Sequence, residues 1–205
     1  MAWVAGTRTE AEATMADDAI TLIIRDHRRM EDLFDRLQTE PENRPRLLEE
    51  IEAVLTAHNR AEEDEVYPVV VRTTGEVPQV RHSAEEHQEA EEILTRLKDC
   101  DPNSEEFEEL RQEFVDEVKH HVEEEESEIL PALERAVGQK RVRELGRAFS
   151  ERREQELRRF GLGGASGRIP RQRELYEEAK RLDIKDRSKM NKEELAEAVQ
   201  RAKSR

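Results

Sequence analysis

Apolar residues recur every three or four positions through four stretches of this chain, with charged residues filling the gaps, which is the period of amphipathic helices. The first stretch runs from about Asp17 to Leu37 and carries Ile20, Ile23, Ile24, Met30, Leu33, Phe34 and Leu37 on one stripe. PEN at 41–43 interrupts it. The second runs from about Arg44 to Val71 with Leu48, Ile51, Leu55, Val66 and Val69 inward, and TTGEVP at 73–78 supplies the next turn. The third, from about Gln79 to Leu97, presents Val80, Ala84, Ala90, Leu94 and Leu97. After CDPN at 100–103, where Asn103 and Glu106 are placed to form a capping box, the fourth runs to about Val137 through Phe107, Leu110, Phe114, Val118, Ile129 and Ala132. Four long helices joined by short connections predict an all-α protein, an up-down-up-down four-helix bundle over residues 17–138.

Outside the bundle the pattern changes. Residues 1–16 show no periodicity and read as disordered, with Met15 an alternative start. Residues 139–160 read as a basic helical extension, and 161–173, opening with GLGGASG, as a flexible linker. Residues 174–205 suggest a small helical module: two short helices around a loop, the second opened by a capping box of Asn191 and Glu194.

Composition narrows the class. The 205 residues are 41% charged and 4% aromatic, so they can hold one ordinary core plus appendages. No run reaches the roughly 18–20 apolar residues of a membrane span. The single cysteine, Cys100, excludes an internal disulfide framework and fits a reducing, cytoplasmic compartment. The formal charge of -15 is uneven: residues 139–205 carry 20 Lys and Arg against 12 Asp and Glu, which leaves 15 against 38 for residues 1–138. An acidic bundle repels nucleic acid, so only the tail could attract it.

The candidate chemistry lies where the apolar pattern is broken. His27 falls in the series of Ile20, Ile23, Ile24, Met30 and Phe34; His58 and Glu62 continue Ile51 and Leu55 toward Val66; His87 falls between Ala84 and Leu94; His121 and Glu125 fall between Val118 and Ile129. The breaks are also repeated: HNRAEEDEVYP at 58–68 aligns with HVEEEESEILP at 121–131, and HRRMEDLFDRL at 27–37 with HQEAEEILTRL at 87–97. Polar residues at matched core positions mark a site, and buried carboxylates need a cation. Counted from the predicted turns at about 1.5 Å per residue, the six side chains share one layer to within about 8 Å. Four imidazoles and two carboxylates there suit a pair of iron or manganese ions.

The residues DH at 26–27, HNRAEE at 58–63, EEH at 85–87 and HVEEEESEILP at 121–131 resemble the hemerythrin-like proteins of the HHE cation-binding type, over about residues 17–137. That resemblance implies a non-haem centre of two iron ions with a bridging oxo or hydroxo group, held by His27, His58, Glu62, His87, His121 and Glu125. It implies a protein that binds or senses dioxygen, nitric oxide or peroxide. An enzyme that decomposes peroxide and an iron storage protein are the alternatives. Oxygen-carrying relatives have a histidine four residues after the third-helix histidine, where this chain has Glu91. Glu91 is therefore a further candidate ligand, with Glu31 its counterpart in the repeat.

Neighbouring residues read as structural. His82 and His120 fall off the stripe and are expected to be exposed; Glu123, Glu124, Glu126 and Glu128 are expected on a solvated face. Pro68 and Pro131 are expected to end or bend their helices, and Tyr67 to be partly buried. Residues 174–200 resemble the helix-loop-helix module of the transcription terminator Rho's amino terminus and of SAP-like domains, with a small core of Leu175, Ala179, Leu182, Ile184, Met190, Leu195 and Val199. This implies nucleic-acid binding through Lys185, Arg187 and Lys189.

Overall fold

A computed structural model describes residues 17–162 and 172–182, and positions 184, 185, 187, 190, 195, 198, 199 and 202 singly. The expectations for residues 1–16, for most of the linker, for the Asn191–Glu194 cap and for Lys189 fall outside those residues. The described chain is all-α, with no strand among the described residues. Helix α1 spans Ala19–Thr39; α2, Arg44–Ala61, continues through a wide turn at Glu62–Val66 into α3, Tyr67–Thr74. Helix α4 spans Val77–Asp99, and α5, Glu105–Glu124, continues through a second wide turn at Glu125–Ile129 into α6, Leu130–Arg159. A further helix, α7, spans Gln172–Arg181.

Helix starts follow their caps. Asp18 accepts the Thr21 N–H with its side chain and opens α1. At α5 the cap is Ser104, whose hydroxyl accepts the Phe107 N–H at 3.1 Å, rather than the expected pair of Asn103 and Glu106. The Asn103 N–H is already engaged by the Asp101 carboxylate at 3.0 Å. That local turn delays the helix by one residue and places Phe107, not an acid, three residues after the cap.

Helix α1 packs on α2, α4 on α5, and α2 reaches α4. Two apolar clusters lie at different levels of the bundle. One gathers Leu33, Leu37, Ile51, Leu97, Phe107 and Phe114, all fully buried. The other gathers Ile23, Ala61, Val66, Tyr67, Ile129, Leu133 and Phe149. Each such large side chain contributes on the order of 1.5–3 kcal/mol by leaving water. Along α1, α2 and α4 the predicted histidine separates residues of the first cluster from those of the second, and along α5 the change follows Val122, one residue after His121.

The basic segment after Val137 also packs on the bundle. Gly138 takes φ 71° and ψ 163° inside α6, a backbone that glycine adopts at little steric cost, and the chain after it lies against α1 and α2. Val142, Leu145 and Phe149 join the second cluster, while Leu157 and Leu162 cover Ala53 and Ala57. At Gly146 a Cβ would lie 2.4 Å from the Asp17 carbonyl oxygen, so only glycine allows α6 to come this close to the start of α1.

In the carboxy-terminal stretch Leu175, Ala179, Leu195 and Val199 are buried together, with Leu182, Ile184 and Met190 half-buried against them. Lys185 is exposed. Arg187 donates to the Ile184 carbonyl at 2.9 Å and its guanidinium lies 5.9 Å from the Tyr176 ring.

Candidate metal centre

The site is built on two helices that each contain a widened turn. After His58 and Glu62, the Tyr67 N–H bonds the Glu62 carbonyl, five residues back; after His121 and Glu125, the Leu130 N–H bonds the Glu125 carbonyl in the same way. Each turn precedes a proline, Pro68 or Pro131. A proline lacks the N–H for a regular helical bond and its ring presses on the carbonyl four residues back. One extra residue in the turn relieves both problems and lets the helix run on. The prolines therefore do not end the helices, and Val66 and Ile129, which close the wide turns, are buried in the core.

Helices α1, α2, α4 and α5 bring the imidazole Nε2 atoms of their histidines inward. His27 Nε2 lies 3.3 Å from Glu125 Oε2, and His58 Nε2 lies 3.2 Å from Glu62 Oε2. His87 Nε2 lies 3.5 Å from Glu62 Oε2 and 3.1 Å from His121 Nε2. Two groups of donor atoms result, each within 4.8 Å of one another: His27, His58, Glu62 and Glu125, and Glu62, His87 and His121. Glu62 belongs to both.

Apart from the His87–His121 pair, these contacts do not close as hydrogen bonds. Buried within the layer, His27 Nε2, both nitrogens of His58, Glu62 Oε1 and both oxygens of Glu125 lack a hydrogen-bond partner. Such a cluster of unsatisfied polar atoms costs free energy unless something completes it. Convergent imidazole and carboxylate donors of this kind fit a metal cation.

The outward Nδ1 atoms are each met by an acid. Asp26 Oδ2 stands 3.7 Å from His58 Nδ1, Glu63 Oε1 3.2 Å from His87 Nδ1, Glu86 Oε2 3.0 Å from His121 Nδ1, and Glu126 Oε1 2.8 Å from His27 Nδ1. A carboxylate on the outer nitrogen orients an imidazole and strengthens its inner nitrogen as a donor. The pattern obeys the repeat. Asp26 and Glu86 precede His27 and His87 and serve the histidine of the following helix; Glu63 and Glu126 follow Glu62 and Glu125 and serve a histidine from the other half.

Electrostatics agree with a site built to hold positive charge. Burial disfavours the imidazolium of His58, but Glu62 and Asp26 outweigh it and push its pKa up to about 10. For His87, burial is likewise overcome by the neighbouring Glu62 and Glu63 carboxylates, and the pKa rises. Burial raises the Glu62 carboxyl less than His58 and His87 lower it, so it stays well below the usual carboxylate range. The Tyr67 phenol is pushed well above its ordinary value by burial, then by Glu125 and Glu62. It stays protonated, its hydroxyl 3.5 Å from Glu62 Oε2 and 3.4 Å from His87 Nε2. Beside the layer, Met30, Leu55, Asn59, Ala90 and Val118 line a cavity with room for about one water-sized molecule.

Residues 18–133 match the model of the hemerythrin HHE cation binding domain. The chain belongs to this family. It is also similar to a curated protein named DNA nickase from Nostoc sp. (strain PCC 7120 / SAG 25.82 / UTEX 2576), 28% identical over 144 residues. That alignment takes in 69% of this chain but 40% of the relative, so the chain spans well under half the length of that protein. No solved structure matches.

Among the residues expected from the sequence of this hemerythrin-like metal-binding protein, His27, His58, Glu62, His87, His121 and Glu125 meet in the layer. Glu91 is not brought to it. Its carboxylate takes the Asn59 amide at 3.2 Å and Arg60 at 3.4 Å. Glu31 pairs with Arg28. His82 and His120 are exposed, as expected. Glu126 departs from its expected solvated face: it is about three-quarters buried, bonded to His27 and to Arg28. Tyr67 is fully buried rather than partly so.

Sequence reading missed the outer acids Asp26, Glu63, Glu86 and Glu126. Their signal was position, since each adjoins an expected ligand in the chain. It also missed Phe149, whose ring meets that of His58 edge-on at 6.1 Å, and Arg153, which holds Asp26.

Proposed function

We propose that this hemerythrin-like protein carries a non-haem pair of iron ions, or of manganese, and binds or senses a small redox ligand: dioxygen, nitric oxide or peroxide. One observation carries the reading: His27, His58 and His87 aim Nε2 at Glu125 or Glu62, His121 joins Glu62 and His87 in the second donor group, and a separate acid faces the Nδ1 atom of each of the four imidazoles. His27, His58, Glu62 and Glu125 would hold one ion, and His87, His121 and Glu62 the other. Such ions, when bound, supply one-electron chemistry and coordination positions for a diatomic ligand. The chain's own contribution is orientation by the outer acids, exclusion of bulk water by Phe149 and the apolar clusters, and a proton kept on Tyr67. The cavity beside His87 and His121, with room for about one water-sized molecule, suits a small ligand.

Metal quantification of protein reconstituted without affinity-tag metals tests this. About two iron or manganese ions per chain are expected, lost in the His58→Ala/His121→Ala protein. Fewer than one, or a content that the substitutions leave unchanged, would overturn it. Absorbance changes on exposing the reduced protein to air, nitric oxide or peroxide then identify the ligand. Turnover of peroxide would assign an enzyme rather than a sensor.

A second reading takes its support from the Nostoc relative's name: action on DNA, with the basic tail as the contact. The bundle gives it little support, because the ligand layer is buried and residues 1–138 are strongly acidic, so a duplex phosphate would be repelled before reaching the ions. In the tail Arg187 is already engaged by Ile184 and Tyr176, which leaves Lys185 as the exposed cation among the described expected contacts. Nicking of supercoiled plasmid by the metal-loaded protein would establish the second reading.

A further inference from the structure

The His-x-x-x-Glu spacing also falls on the two exposed histidines, at His82 with Glu86 on α4 and His120 with Glu124 on α5. Helices α4 and α5 are packed neighbours, and one atom from each of these four side chains falls within 4.8 Å of the others. His82 Nε2 lies 3.6 Å from Glu86 Oε1 and 3.8 Å from Glu124 Oε2. His120 Nε2 lies 3.3 Å from Glu124 Oε1 and 3.8 Å from Glu86 Oε1. Each imidazole thus faces the acid of its own helix and the acid of the other.

These separations are too long for charge-assisted hydrogen bonds, which run about 2.7–2.9 Å. They approach the edges of a tetrahedron of ligands. Bonds of about 2.0–2.1 Å from a central ion put neighbouring ligand atoms about 3.3–3.4 Å apart, so the four His–Glu separations lie within about half an ångström of such edges, and the remaining pairs lie within 4.8 Å.

A second observation concerns Glu86. It is 4% exposed, and its Oε2 accepts from His121 Nδ1 at 3.0 Å, which fixes the carboxylate. That leaves Oε1 buried, without a hydrogen-bond partner, and directed at His82 and His120. A buried carboxylate oxygen in that condition calls for a cation, and the imidazoles beside it select a borderline transition ion over calcium or magnesium.

We propose that His82, Glu86, His120 and Glu124 form a second, surface metal site for a divalent transition ion of the zinc(II) class. Adjacent residues of α5 then serve different sites, His121 the buried layer and His120 the surface. A single carboxylate, Glu86, separates the two. The surface site does not depend on the buried ions, and its test separates the two readings.

The full chain, first reconstituted with iron, is titrated with zinc(II) by calorimetry while iron is counted before and after. Wild type should take one further zinc per chain at micromolar or tighter affinity, with no loss of iron. The His82→Ala/His120→Ala protein changes only exposed side chains. It should bind that zinc at least about 100-fold more weakly, the upper range for losing even an outer partner of a metal ligand, with its iron content unchanged. Equal zinc affinity in the two proteins, or no additional zinc in wild type, would overturn the surface site. Should the chain hold no iron, the same comparison on the metal-free protein still decides it, because only the surface ligands differ.

Discussion

Arg153 grips Asp26 across 127 residues of chain, Nε to Oδ2 at 2.5 Å and Nη2 to Oδ1 at 2.6 Å, and Asp26 in turn faces His58 Nδ1. The basic segment after Gly138 is thereby tied to an innermost imidazole. Both groups are largely buried, and burial alone would raise the Asp26 carboxyl, but His58 and Arg153 hold it below its ordinary range. Replacing Arg153 with alanine leaves Asp26 buried and only half paired. Expected are a loss of about 3 kcal/mol in urea unfolding and a metal affinity weaker by about 10- to 100-fold. Wild-type metal affinity in the Arg153→Ala protein would show that His58 is positioned without this chain of contacts.

Metal uptake should depend on pH through His58. In the metal-free protein its pKa is raised from 6.5 to about 10, so it carries a proton at neutral pH and that proton must leave before the nitrogen binds an ion. Apparent affinity should rise about tenfold per pH unit from this group between about 6.5 and 10, and calorimetry in buffers of different ionisation enthalpy should count at least one proton released. The stability of the metal-free protein runs the other way. A raised pKa in the folded state contributes stability that is whole below 6.5 and lost as pH rises through about 10. Urea midpoints that fail to fall over that window would contradict the assignment.

Glu62 and Glu91 should separate cleanly. Glu62 is fully buried and common to both donor groups, whereas Glu91 is about one-third exposed and held by Asn59 and Arg60. Metal content per chain should collapse in Glu62→Ala and stay at the wild-type value in Glu91→Ala. Loss of one ion in Glu91→Ala would place that carboxylate among the ligands.

Close approach at Gly146 makes a packing prediction. The Cβ of alanine would meet the Asp17 carbonyl oxygen at 2.4 Å and the Ala19 nitrogen at 2.9 Å. Both are backbone atoms, so α6 must shift away from α1. Gly146→Ala should cost about 1–3 kcal/mol, although alanine ordinarily favours a helix, and should reduce metal content because the displaced segment carries Phe149 and Arg153. A stabilised variant would mean that the two segments do not pack this closely.

Sequence alone determined the four amphipathic helices of the bundle and the six buried His and Glu residues of the layer. Both follow from a local rule: the helical period puts His58 with Glu62, and His121 with Glu125, on the same stripe as the apolar residues around them. The outer acids were not legible in that way. Glu63 and Glu126 sit in acidic runs where every residue looks solvated, and what separates them from Glu123 or Glu128 is a histidine arriving from another helix. The wide turns add to this, since one extra residue shifts the phase after Glu62 and Glu125 and spoils any single helical wheel drawn through them.

The segment after Val137 shows the same limit. Its composition is basic and weakly patterned, so it reads as an appendage. Yet Gly138 turns it back onto α1 and α2, where Phe149 covers His58 and Arg153 holds Asp26. Local periodicity decides which residues face inward on their own helix. Only the packing of helices far apart in the chain decides which residues they meet there, and so which acid orients which imidazole.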